Sequence, residues 1–121
     1  MRPLLALSLL AGIASLAATA ACSSDSGPNV TGDVSIVAGA SGLGANAFDP
    51  NPFTQSIATK ATVTWVNNDG VTHRVVSDAP LFDSANLTGG DDYTFTFTAA
   101  GTYTYHCSIH PTMVGTITIN P

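Results

Sequence analysis

Tyr105-His106-Cys107-Ser108-Ile109-His110-Pro111-Thr112-Met113 is the stretch whose reading decides this chain. It begins on the alternation of a β-strand and runs into a short Pro-containing loop. A thiol, an imidazole three residues on and a thioether three further on share that loop. Thiolate and imidazole at this spacing can face one metal ion together, and a thioether at the loop's end can approach from a third direction. Singly, a buried Cys or Met is an ordinary hydrophobe; the joint spacing argues for a metal.

The surroundings of the loop set the fold. Upstream, Tyr93-Thr94-Phe95-Thr96-Phe97-Thr98 alternates aromatic with threonine, and Gly101-Thr102-Tyr103-Thr104-Tyr105 repeats the pattern. Downstream, Val114 to Ile119 alternates again, and Asp33–Val37, Ala61–Val66 and Thr72–Val76 read the same way. Turn residues separate the runs: Asn67-Asn68-Asp69-Gly70, Gly89-Gly90-Asp91-Asp92 and Ala99-Ala100-Gly101. No long stretch carries helical spacing. The expected fold is all-β, an antiparallel Greek-key β-sandwich. One face of each strand is buried and the threonine face is wet. Trp65, Tyr93, Phe95, Phe97, Tyr103 and Tyr105 are the expected core aromatics. Gly39 to Pro52, rich in Gly, Ala and Pro, reads as loop. His106 alternates away from Cys107 and is expected on the exposed face; Asp91-Asp92 reads as a solvated turn.

A second imidazole is needed to complete a metal site, and His73 supplies it, just past the Asn67–Gly70 turn at the start of a strand. Two imidazoles, one thiolate and a distant thioether form the trigonal type 1 copper site. Zinc also binds such a set strongly.

Three stretches carry a resemblance to a known family. They are Thr64-Trp65-Val66-Asn67-Asn68-Asp69-Gly70-Val71-Thr72-His73, the approach from Phe95 to Cys107, and Cys107-x-x-His110-x-x-Met113. Over residues 33–120 the chain resembles the cupredoxins, the blue copper proteins. Its ligand loop is similar to the short loop of amicyanins, whereas plastocyanins place the Met further along. The resemblance implies one type 1 copper ion held by His73, Cys107, His110 and Met113. It implies a one-electron Cu(I)/Cu(II) shuttle and no enzyme. In that family the histidine of the loop, here His110, is the electron entry and exit point within an apolar patch. Transient redox-protein partners would then dock near His110, Pro111 and Thr112, with the protein a monomer. Two positions depart from the pattern: Arg74 stands where many relatives carry Asn, and His106 where they often carry an aromatic or aliphatic residue.

Other functions use the same residues differently. A periplasmic copper-trafficking or sequestering protein would exchange the metal itself, but such proteins favour Met or His clusters, which are missing here. A zinc-bound or metal-free interaction module is the third class. A multicopper enzyme needs further centres, which three histidines do not supply. Cys107 as a nucleophile would leave Met113 without a role.

The N-terminus reads as an export signal. Arg2 precedes an uncharged apolar run from Leu4 to Ala21, ending in Thr19-Ala20-Ala21. Cys22 and the polar Ser23–Pro28 follow, a pattern that resembles a bacterial lipobox. The expected organisation is a signal peptide over 1–21, a lipidated Cys22 with flexible tether over 22–30, and a copper-binding domain over 31–121. Ordinary cleavage to a soluble periplasmic or secreted protein, or an uncleaved anchor, are the other two outcomes. From Cys22 onward the only cations are Lys60 and Arg74, against eight aspartates and no glutamate. For a chain that starts at Cys22, that balance argues against nucleic acid as a partner and leaves a lipid on Cys22 as the one route to a membrane.

Overall fold

The computed structural model describes residues 31–121; the expected signal segment, Cys22 and tether lie outside them. The alternating runs form strands β1 (Val34–Ile36), β4 (Thr62–Asn67), β5 (Val75–Ser77), β6 (Asp92–Thr96), β7 (Gly101–Cys107) and β8 (Val114–Asn120). Two more, β2 (Phe48–Asp49) and β3 (Phe53–Ser56), come from segments where no strand is predicted. The strands build two four-stranded sheets, ordered β2-β1-β4-β6 and β3-β8-β7-β5.

Alternation works as expected across β4 and β6. Val63 and Trp65 are fully buried. On the opposite face Thr62 and Thr64 meet Thr96 and Thr94, hydroxyl to hydroxyl, at 3.1 and 2.9 Å, a cross-strand ladder on the wet side. Trp65, Phe82, Tyr105 and Phe48 form the centre of the core, with ring centroids 5.2 Å apart for Trp65–Phe82, 5.6 Å for Trp65–Tyr105 and 4.8 Å for Phe48–Tyr105. Of the expected core aromatics, Trp65, Phe97 and Tyr105 are buried. Tyr93, Phe95 and Tyr103 only pack against the core's margin.

Both sheets are mixed where antiparallel pairing is the sequence-based expectation. β1 runs parallel to β4, and β3 parallel to β8, while β1–β2, β4–β6, β5–β7 and β7–β8 are antiparallel. Parallel neighbours need a crossover connection rather than a hairpin. The chain provides one each time: it leaves β1 for the second sheet through β3 and returns to the first at β4.

The segment expected to be loop, Gly39 to Pro52, is structured. It contains two single-turn 3₁₀ helices, Ala40–Gly42 and Gly44–Asn46, followed by β2. Gly39 takes a left-handed conformation (φ 75°) that other residues adopt reluctantly, and Ala40, Ala47 and Phe48 are buried. The elements are too short for a hydrophobic period to show. Asn51 fastens the segment to β8: its side-chain amide donates to the Ala45 and Val114 carbonyls, and its oxygen accepts from the Thr116 N–H. Among the described residues no helix is long and apolar enough to cross a membrane.

Candidate metal centre

Two segments converge at one end of the sandwich. The first descends from β4 through Asn67. This fully buried side chain accepts the Asp69 N–H and donates to the Val71 and Leu87 carbonyls, closing the Asn-Asp-Gly turn from inside. The turn delivers His73, whose N–H and C=O both bond to Leu87, at 3.0 and 2.7 Å. His73 thus lies on an isolated bridge just before β5, rather than in a strand.

The second segment is the end of β7 and the loop after it. Cys107 is the last residue of β7, paired with Val75. The loop is tied back by the Cys107 N–H to the Met113 carbonyl (3.0 Å) and the Met113 N–H to the His110 carbonyl (2.9 Å). The two segments are joined where the Ser108 N–H donates to the Arg74 carbonyl at 3.0 Å.

The result is a cluster of His73, Cys107 and His110 with ligand atoms within 4.8 Å of one another. Nδ1 of His73 lies 3.2 Å from Nδ1 of His110, and the Cys107 Sγ is 3.7 and 3.9 Å from these nitrogens. An ion bound in one plane at zinc-like distances, about 2.0 Å to nitrogen and about 2.3 Å to sulfur, needs nitrogens roughly 3.5 Å apart and about 3.7 Å from the sulfur. The observed triangle fits. His73 and Cys107 are fully buried and His110 is half-buried. The sulfur also accepts the Arg74 and His110 backbone N–H groups, at 3.5 and 3.4 Å, contacts of the kind that tune a metal bound to it. Met113 is fully buried at the loop's end.

The two departures in sequence have structural explanations. Arg74 does not bridge the loops with its side chain; that connection runs through its backbone. Its guanidinium is exposed and forks onto Asp83 at 2.8 and 2.5 Å. His106 faces outward as expected yet is about one-third exposed rather than free, with Nδ1 2.6 Å from an Asp78 carboxylate oxygen.

Sequence reasoning missed Asn67 and Asp69, which it treated as turn formers. The Asp69 carboxylate is 2.8 Å from His73 Nε2 and accepts the backbone N–H groups of Gly39, Ala40 and Gly70. Burial pushes its pKa up, but the hydrogen bonds from His73, Gly39 and Gly70 outweigh that and hold it below the usual carboxylate value. A His four residues after an Asp was a visible signal, although only the packing of the distant 39–42 turn buries the pair.

The family model described as a cupredoxin-like domain matches residues 11–119. The chain is 39% identical over 100 residues to a plastocyanin of Scenedesmus fuscus, an alignment spanning 72% of this chain and 99% of that one. It is 41% identical over 63 residues to an amicyanin of Paracoccus denitrificans, but that match spans only 48% of either chain. The solved structure of a purple cupredoxin from Nitrosopumilus maritimus superposes with a TM-score of 0.66 at 32% identity, covering 72% of this chain and 97% of the other.

Proposed function

Because the chain belongs to the cupredoxin family, we propose that it is a blue copper electron-transfer protein working outside the cytoplasm, with His73, Cys107, His110 and Met113 as the copper ligands. The observation that carries this reading is the triangle of two Nδ1 atoms and a twice hydrogen-bonded sulfur at the rim of a rigid sandwich.

Copper bound there supplies a one-electron Cu(I)/Cu(II) couple with a covalent thiolate contact. The protein's residues do the rest. The Asn67 turn and the Leu87 bridge fix His73, and the β7–β8 loop fixes Cys107 and His110, so little moves when an electron arrives. Burial of His73 and Cys107 keeps water off the thiolate. It also argues against metal hand-off, which needs ligands that open readily. Met113, fully buried at the loop's end, would supply a thioether as the fourth ligand.

His110 is the more accessible ligand, and it stands beside exposed Ile109, Pro111 and Thr112. Val71, two residues before His73, is also exposed, as is Leu43, whose neighbour Gly44 sits against the Thr112 carbonyl. Transient redox proteins would dock on this rim, with the protein a monomer. A placement in the periplasm or at the cell surface, anchored through a lipid on Cys22, rests on the N-terminal sequence. No catalytic residue is assigned.

The test is the visible spectrum of the purified protein after addition of cupric ion, beside that of Cys107→Ser. An intense thiolate-to-copper band lost in the variant is the expected result. Metal binding without that band would sink the blue-copper assignment and favour zinc or copper storage.

A further inference from the structure

Asp69 joins two parts of the molecule that are far apart in sequence. Oδ1 accepts the Gly39 N–H (3.1 Å) and the Gly70 N–H (2.8 Å); Oδ2 accepts the Ala40 N–H (3.2 Å) and faces His73 Nε2 at 2.8 Å. Four donors on two oxygens leave the carboxylate no freedom to rotate. Two of them come from the start of the Ala40–Gly42 turn, where the left-handed Gly39 helps aim successive amides at one point. The pair is shielded: Asp69 is 8% exposed and His73 is wholly buried.

An imidazole has one donor and one acceptor nitrogen when neutral. A carboxylate on Nε2 requires the proton there, which leaves the Nδ1 lone pair directed at Cys107 and His110. A metal-ligating His commonly gives its other N–H to a carboxylate, and such partners raise ligand basicity. A fixed negative charge in a poorly solvated place also favours the more highly charged form of a nearby ion.

We propose that Asp69 is the positioning residue of the centre: it locks His73 in the Nε2–H tautomer, couples it to the 39–42 turn and lowers the reduction potential. This rests on the reading of His73 as a copper ligand. The coupling gives the turn a function: a contact that displaces residues 39–42 would act on the metal through Asp69 without touching a ligand.

Asp69→Asn is close to isosteric. Its carbonyl oxygen still serves Gly39 and Gly70, but its amide cannot accept from Ala40 or His73. In the variant the potential should rise by at least the equivalent of a tenfold change in the oxidised-to-reduced ratio, about 59 mV for one electron. Hydrogen exchange at the Gly39 and Ala40 amides should speed up, and Asp69→Glu should restore the potential only in part. An unchanged potential, with or without a lower melting temperature, would reduce Asp69 to a structural residue and overturn the proposal. Should Asp69→Asn fail to fold, nitrogen-15 NMR of the metal-free native protein decides: the Nε2–H tautomer at His73 supports the assignment and the Nδ1–H tautomer refutes it. A native protein that never becomes blue with copper refutes the electron-transfer reading instead, and the NMR result still stands on its own.

Discussion

Tyr105 lies directly across from Gly115 in the β7–β8 ladder, and its ring fills the space that a side chain at 115 would need. A Cβ there would come within 2.3 Å of the ring and 2.4 Å of the phenol oxygen. Tyr105 is also packed against Trp65 and Phe48, so it has nowhere to retreat. It stands two residues before Cys107, which makes this contact part of what holds the ligand loop in place.

Gly115→Ala should therefore destabilise the metal-free protein by about 1–3 kcal/mol, the usual cost of overpacking. Urea unfolding followed by Trp65 fluorescence measures it. A variant as stable as the native protein would mean that the ring can move and that the ladder is softer than described.

Arg74→Ala should leave the metal spectrum almost unchanged, because its side chain turns outward to Asp83 and only its backbone serves the centre. The Arg74 guanidinium, aided by the Ala85 N–H, holds the Asp83 carboxyl at about 2, against an ordinary 3.8. In the variant that value should move part of the way up, since the Ala85 bond remains. The folded-state value is the depressed one, so the pair's small contribution is complete above about pH 4 and lost as pH falls towards 2. NMR titration of Asp83 checks the first statement. Convergence of the two proteins' acid stabilities checks the second.

Met113→Leu conserves volume and should cost the metal-free fold less than about 1.5 kcal/mol. If the thioether is a copper ligand, copper should still bind to the variant, the visible spectrum should shift and the potential should rise. An identical spectrum and potential would remove Met113 from the ligand set.

Pro111→Asp or Thr112→Asp should slow electron exchange by tenfold or more without loss of copper, since both positions are exposed beside His110. Self-exchange rates from NMR line broadening of mixed oxidation states provide the number. Unchanged rates would move the docking surface elsewhere on the molecule.

The ligand loop and the strands flanking it were legible because their chemistry is local: residue type and spacing within nine positions carried the message. Period-two alternation likewise revealed β4, β6, β7 and β8. What escaped was non-local. Asp69 looks like any Asp in an Asn-Asp-Gly turn until Gly39, thirty residues away, brings its amide to it. Strands β2 and β3 are too short for a period to register, and the parallel pairings depend on when the chain changes sheets, which no local pattern records. Arg74 looked like a disturbance of the site because its sequence position hides that backbone, not side chain, makes the connection.

His73 and Cys107 are 34 residues apart, and the described part of the chain contains no disulfide, its one cysteine being Cys107. An ion held by both is therefore a cross-link. It closes a long loop in any partly unfolded state, much as a disulfide over that span would, worth roughly 3–4 kcal/mol of chain entropy. Where the ion instead leaves the unfolded chain, its preference for the folded form stabilises by mass action. Heat resistance should thus track metal loading, and the molecules that lose their ion would be the first to unfold and be degraded.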